Sequence, residues 1–218
     1  YVEKLTGVSS GIAVIVVVDG DNRIILDAGA NGQVREELVD RALESATAGD
    51  YLICQLEISQ EIVRYALAKA KEKGLVTVLN PAPAAKLLPG ILENCDYFIP
   101  NQSEAEFYTG IFPKDEESAQ RCAQALAAKG VGNVVVTMGS EGSAYVGKDG
   151  YFKADCFKAE AVDTTAAGDT YVGAFVTGLS EGMSVREAMT FASKASAITV
   201  TRRGAQQSIP VRAEVDAK

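Results

Sequence analysis

The chain has 218 residues, 47% hydrophobic and 23% charged, the balance of a globular protein long enough to bury one sizeable core. Lys plus Arg number 21 against 29 for Asp plus Glu, and the net charge of −8 argues against nucleic acid or an anionic membrane as electrostatic partner. There is no histidine, which excludes Ser-His and Cys-His nucleophile pairs and His-based metal sites; any general base must be a carboxylate, Lys, Tyr or Cys.

Ile12–Val18 (IAVIVVV) is rich in β-branched residues, Asp19-Gly20-Asp21-Asn22 supplies turn chemistry, and residues 23–26 (RIIL) return, so the first predicted feature is a hairpin. A hairpin alone is marginal and calls for further strands or a second subunit. An α/β alternation follows. Leu38, Val39, Ala42, Leu43 and Ala46 recur at helical spacing, and residues 51–55 (YLICQ) form a short apolar strand. Ser59 caps a helix with Ile62, Val63, Ala66, Leu67 and Ala70 on one face, stopped by Gly74. Residues 75–79 (LVTVL) and 96–99 (DYFI) are strands, and a helix carrying Ala119, Cys122, Ala123 and Leu126 leads to a strand at Asn133–Thr137. Apolar strands separated by amphipathic helices predict a buried, mostly parallel sheet with right-handed crossovers. Short strands at 143–146 and 151–157 then read as a small antiparallel excursion, and helices at 168–181 and Val185–Thr199 close the chain.

No apolar run approaches the roughly 18 residues of a membrane span, and no stretch of these residues reads as a signal-peptide n-region and h-region. Cys54, Cys95, Cys122 and Cys156 form no CxxC pair, and three lie within apolar patterns; they read as reduced core residues in a cytosol. Because Tyr1 is not Met and a strand begins so soon, the natural start is expected upstream.

Ligands of open α/β sheets bind beyond the carboxyl ends of the strands. There the sequence places Glu57, then NPAPA (80–84), NQSEAE (101–106) and MGSEG (138–142). No GxxxxGK[ST] loop is present and no GxGxxG follows a strand, so neither a P-loop nor a Rossmann dinucleotide site is supported. The best phosphate cradle is Ala166-Ala167-Gly168 at a predicted helix start, where unpaired amides meet the positive end of the dipole. That dipole contributes ~0.3–1 kcal/mol when exposed and up to ~2 kcal/mol when partly buried. Asp169 follows directly. It is either a general base, worth typically ~10²–10⁴-fold, or an acid that stabilises the helix start. Asn101-x-x-Glu104 could hold magnesium through waters; alternatively Ser103-x-x-Glu106 is a capping box and Glu104 only a first-turn acid. Residues 137–142 let a nucleotide approach the backbone closely or form a simple glycine turn. Glu57 is a sugar-hydroxyl acceptor or an ordinary acid near a helix cap.

The ordered set NPAPA, PNQSEAE, TMGSEG, VDTTAAGDT and TRRGAQQSIP spans nearly the whole chain and resembles the PfkB carbohydrate kinases, in particular their ribokinases. The resemblance implies a three-layer ribokinase-like α/β fold, with a mostly parallel sheet flanked by helices and a small β lid. Residues 1–30 would be part of the lid and its return, and 31–218 the α/β core with the nucleotide site. The implied reaction is ATP-dependent phosphorylation of a pentose, D-ribose to ribose 5-phosphate, by in-line transfer. Asp169 would be the base on the 5-hydroxyl, and Ala166, Ala167 and Gly168 the anion hole. Asn101, Thr137, Met138, Gly139, Ser140, Glu141, Gly142, Gly168 and Ser193 would line the ATP site. Glu104 would organise Mg²⁺ through water. Glu57, Asp169 and Ile24 would face the sugar. Asp163, Thr165, Thr199, Arg202, Gly204 and Ser208 stand where such kinases hold a monovalent cation, usually K⁺, several through backbone carbonyls.

An N-terminal portion of the family's chain, with an Asp and a Gly-Gly-Lys loop that hold the sugar, has no counterpart here, and its loss would leave apolar edge surface. The resemblance also implies a cytoplasmic homodimer joined through the lid strands. Two other readings stand beside ribose phosphorylation. One is a kinase for another sugar or a nucleoside. The other is a nucleotide-binding or oligomerising fragment without turnover.

Overall fold

A computed structural model describes residues 2–18 and 21–217, with only the backbone described for the hairpin residues among 15–24. The β-branched opening run forms β1 (Ile12–Val18), paired antiparallel with β2 (Asp21–Asp27) from Ile12 opposite Asp27 to Val18 opposite Asp21. Asp19 and Gly20, the predicted centre of the turn, lie outside the described residues. This pair is a sheet of its own. Ile12, Val14, Ile25 and Leu26 on it are exposed.

The second sheet has six strands in sequence order: β3 (Tyr51–Cys54), β4 (Val76–Leu79), β5 (Tyr97–Phe98), β6 (Asn133–Thr137), β7 (Ser143–Gly147) and β8 (Gly150–Ala154). The pairs from β3 to β6 are parallel; β7 and β8 join antiparallel. The last strand stops at Ala154, short of the predicted 157, because the Phe157 amide bonds to the Ser193 hydroxyl instead of continuing the ladder.

Strand alternation sends side chains to two separate cores. Leu79, Phe98, Val134, Val136 and Ala144 face one way. They meet α2 (Gln60–Glu72), α3 (Gln102–Thr109) and α4 (Glu116–Ala127) through Val63, Leu67, Ala105, Cys122 and Leu126. Val78, Tyr97, Ile99, Val135 and Tyr145 face the other way. They meet α5 (Ala167–Ser180) and α6 (Val185–Thr199) through Tyr171, Phe175, Met189 and Ala192. The result is a helix–sheet–helix sandwich, as the run of uninterrupted apolar strands predicts. A short α1 (Glu36–Leu43) packs beside α2.

Local chemistry sets the helix starts. Ser59 accepts from the Ile62 amide, and Ser184 with Glu187 forms a reciprocal box; such a cap is worth about 1 kcal/mol. The predicted Ser103–Glu106 box does not form. Asn101 is the cap of α3, and its partner is Glu104. At the end of the chain α7 (Arg212–Asp216), too short for periodicity to announce, is held by Arg212–Glu181 and Arg202–Glu214 ion pairs. At the other margin β3 is an edge strand, and the groove along it is walled by Leu43 and Ala46 on one side and by Val176 and Thr177 of α5 on the other. Among the described residues no helix is long and apolar enough to cross a membrane.

Candidate functional site

The carboxyl ends of the parallel strands are laced together one to the next. Asn80, after β4, donates its amide to the Cys54 carbonyl (2.9 Å) and its side chain to the Ile99 carbonyl (2.8 Å). Leu56 donates to Ala82 (2.9 Å), and Thr137 donates to Pro100 (2.9 Å). Thr137 also pairs with Ser143 at the start of β7. Ser143 Oγ lies 2.7 Å from the Tyr171 hydroxyl in the first turns of α5. So the segments after β3, β4, β5 and β6 are neighbours at one end of the sheet, with the N-terminal part of α5 tied in through Tyr171; ligands of open α/β sheets bind beyond that end.

The start of α5 has unusual geometry. Its cap residue Ala166 sits at φ 61°, ψ 9°, the left-handed region, and offers no side-chain hydrogen bond. It is the one non-glycine residue with positive φ among those described. The Ala167 amide is satisfied by the Thr164 carbonyl (3.2 Å) and the Thr170 amide by the Ala166 carbonyl (2.9 Å). Between them, the amides of Gly168 and Asp169 find no acceptor among the described residues. A Cβ added to Gly168 would meet nothing within 4 Å, so the fold itself does not require glycine there. Asp169 is exposed and makes no side-chain hydrogen bond or ion pair among the described residues. Two free donors, an open approach and an unpaired carboxylate thus share one helical turn. An anion can dock on the donors, and the carboxylate can accept a proton beside it.

The segment 137–142 is a tight glycine turn. Met138 donates to the Gly142 carbonyl (2.8 Å), Glu141 to Met138 (3.0 Å) and Gly142 to Gly139 (3.1 Å). Gly142 has φ 85°, ψ −136°, and a Cβ there would lie 2.1 Å from the Ala154 carbonyl oxygen. Gly139, Ser140 and Glu141 form the 3-10 turn at its tip. Met138 is 2% exposed, so only its backbone can face a ligand.

Asn101 and Glu104 cap each other: Asn101 Oδ1 accepts from the Glu104 amide and Glu104 Oε2 accepts from the Asn101 amide, both at 2.8 Å. This leaves the Asn101 amide nitrogen Nδ2 and one Glu104 oxygen without a partner among the described residues. Burial pushes the Glu104 carboxyl above its ordinary value, opposed by the Asn101 amide. The remaining oxygen suits a hydrated Mg²⁺, which prefers oxygen ligands. No three Asp, Glu or Cys side chains converge on one point among the described residues.

Glu57 is exposed and bonds to no neighbour, and the cap of the next helix is Ser59, so helix capping does not account for it. The buried Ser193 hydroxyl bonds within the protein, to the Phe157 amide (3.2 Å) and the Asp155 carbonyl (3.4 Å), and so anchors that loop. Ile24 lies in β2 opposite Ile15, and its side chain is outside the described residues.

Of the six residues read as a cation site, Asp163 bonds directly to Thr165 and Gly204, Arg202 bonds to Thr199, and Ser208 bonds only to Ala205 among the described residues. Asp163 accepts from the Thr165 amide (2.9 Å) and the Gly204 amide (3.0 Å), tying two loops together. Those bonds hold its carboxyl down, to about 2. Val162 and Asp163 both donate to the Val200 carbonyl, and Arg202 donates to the Thr199 carbonyl. Thr199 and Ser208 are fully buried. The Arg202 guanidinium points away to Glu214. The carbonyls of Thr165, Arg202 and Gly204 accept nothing among the described residues. Free carbonyls beside a carboxylate are the donor set a monovalent cation takes.

The pfkB family carbohydrate kinase model matches residues 1–212. The chain is 40% identical to ribokinase of Schizosaccharomyces pombe, across 99% of this chain and 69% of the relative. It is 36% identical to deoxyribokinase of Salmonella typhi, across 96% and 69%. The structure of Arabidopsis thaliana ribokinase complexed with ribose and ATP superposes with a TM-score of 0.86 at 27% identity, across 97% of this chain and 69% of the other.

Proposed function

The chain belongs to the pfkB family of carbohydrate kinases, and from that premise we propose that it transfers the terminal phosphoryl group of ATP to a pentose, converting D-ribose to ribose 5-phosphate. The observation that carries the proposal is the first turn of α5, where an unpaired Asp169 carboxylate adjoins two unpartnered amides. In the proposed step the sugar 5-hydroxyl oxygen bonds to the γ-phosphorus as the bridge to the β-phosphate breaks. ADP leaves with the bridging oxygen, and the hydroxyl proton passes to Asp169. The amides of Gly168 and Asp169 receive the charge on the transferring group. Catalysis of this kind is mainly positioning and charge neutralisation.

The other roles follow from what each residue has free. Asn101 Nδ2 and the 137–142 backbone take the nucleotide, and Ser193 supports that wall. Glu57 faces the sugar; Ile24 is assigned to the sugar by the family resemblance alone. A magnesium ion near Glu104 would offset phosphate charge. A monovalent cation held by Asp163, the free carbonyls of Thr165, Arg202 and Gly204, and the neighbouring Thr199 and Ser208 would brace the anion turn from behind. We assign residues 1–30 to a β lid and its return, 31–218 to the core, and the exposed apolar residues of β1 and β2 to a homodimer contact. We place the protein in the cytoplasm, consistent with buried free thiols such as Cys54 and Cys95.

The test is a titration of ADP followed by a turnover assay with ATP and D-ribose, 2-deoxyribose, fructose and a nucleoside. Ribose should be preferred, and Asp169→Asn should abolish turnover while ADP still binds. A clear preference for 2-deoxyribose, the reading favoured by the deoxyribokinase likeness, refutes ribose. ADP binding without any turnover supports a nucleotide-binding fragment instead.

A further inference from the structure

The Ser143–Tyr171 hydrogen bond has no role in the site as set out so far. Ser143 is 1% exposed and Tyr171 6%, and the 2.7 Å bond between their hydroxyls lies within an otherwise apolar core of Val135, Phe175 and Met189. Packing does not call for it. The Tyr171 ring stacks on Phe175 at 6.5 Å between centroids, and a phenylalanine would fill the same volume. A buried hydroxyl costs free energy unless it is paired, so the two hydroxyls stand or fall together.

Their positions in the chain give the pair its meaning. Ser143 directly follows the glycine turn 137–142, and its register partners are Thr137 and Ala154. Tyr171 is two residues beyond Asp169. Two residues of α-helix turn through about 200°, so the side chain at 171 enters the core as the one at 169 faces outward. Other anchors of this helical start run to α6: Ser196 Oγ donates to the Ala167 carbonyl (2.9 Å) and Thr199 Oγ1 to Thr170 Oγ1 (3.1 Å). The Tyr171 bond is the side-chain hydrogen bond that ties the helical start to the 137–142 side.

We propose that the Ser143–Tyr171 bond couples the glycine turn 137–142 to the first turn of α5, making Tyr171 a positioning residue for Asp169 and the free amides. The inference rests on the nucleotide-site reading of 137–142. Filling that turn with an adenosine moiety would then stiffen the segment that carries the proposed base. Tyr171→Phe and Ser143→Ala each remove the bond, and Ser143→Thr keeps a hydroxyl.

The test is hydrogen exchange by mass spectrometry on the unsubstituted chain and the three variants, with and without saturating adenosine. Adenosine carries no phosphate to touch the α5 amides directly. Exchange reports local opening. Adenosine is expected to slow exchange at 137–142 in all four proteins, and at 167–172 only in the unsubstituted chain and Ser143→Thr. A purely structural role would raise exchange in the variants without altering its response to adenosine. Protection of 167–172 in all four proteins, or in none, overturns the coupling. So does a failure to bind adenosine; an ADP titration of the unsubstituted chain then shows whether the nucleotide site itself stands.

Discussion

Two glycines of the candidate site should respond in opposite ways to alanine. At Gly142 the backbone adopts φ 85°, ψ −136°, a region that only glycine enters without strain of about 1–3 kcal/mol. The new Cβ would also lie 2.1 Å from the Ala154 carbonyl oxygen and 3.0 Å from the Cys156 amide nitrogen. Both neighbours are backbone, so relief requires the strand end to move, adding about 1–3 kcal/mol. Gly142→Ala should therefore cost about 3 kcal/mol or more, a fall in Tm of roughly 6–12 °C for a chain of this size. At Gly168 the backbone is helical and a Cβ meets nothing within 4 Å. Replacing glycine by alanine within a helix is worth about 0.5–1 kcal/mol, so Gly168→Ala should leave Tm unchanged or raise it slightly. The added methyl group would nonetheless stand beside the two unpartnered amides. Displacing a transferring group there by about 1 Å costs on the order of 10²-fold in rate. Thermal unfolding of both variants, with phosphoryl-transfer rates for each active form, separates a glycine that serves the fold from one that serves a ligand. A stability loss above about 1 kcal/mol for Gly168→Ala, or turnover equal to the parent's, refutes the reasoning.

Three further expectations follow from single sites. Asp163 is held at about 2 from an ordinary 3.8 by the Gly204 and Thr165 amides; its contribution is full above pH 4 and lost as the pH falls towards 2, so unfolding curves of Asp163→Asn and the parent should differ near neutrality and converge in acid. A gap that persists unchanged at pH 2 would show that the charge is not responsible. Phe175 is fully buried, with Tyr97 edge-on at 5.6 Å, and Phe175→Ala should cost about 3–5 kcal/mol in denaturant titration; a cost under 1 kcal/mol would contradict the packing. Ala166 carries left-handed strain of about 1–2 kcal/mol, and glycine gives back about 0.4–1 kcal/mol through the unfolded chain. Ala166→Gly should thus leave stability level or up to about 1.6 kcal/mol higher, and a marked loss in denaturant titration would mean the conformation is not strained.

Much of the fold was legible in the sequence because its signals are redundant. Apolar strands, helix periodicity and a cap such as Ser59 all point the same way along the core. What was not legible lies where one residue has two chemically reasonable partners. Ser103 and Asn101 can both cap a helix, and the choice went to Asn101 because its side chain reaches the Glu104 amide and Glu104 reciprocates. The Tyr171 bond carries no sequence signal, since nothing in a linear pattern shows that its hydroxyl meets Ser143 28 residues away. Met138 and Ser193 were read as lining the ATP site, and burial and internal bonding, which appear only on folding, limit what their side chains can offer a ligand.

Asp169 is the residue at which the two levels of reading had to be weighed. As a sequence signal, an acid at a helix start is well explained by capping. The geometry removes most of that explanation. The cap position belongs to Ala166, which has no side chain to serve it, and the Asp169 carboxylate bonds to no amide of the turn. What remains for it as a helix stabiliser is the dipole term, at most ~1 kcal/mol at an exposed site. The same turn carries a strained alanine, a glycine the fold does not require and two amides with no acceptor among the described residues, features that capping does not explain. On the proposed reading, an anion supplies from outside the capping that this helix start forgoes, and the exposed carboxylate stands beside that anion to accept the departing proton.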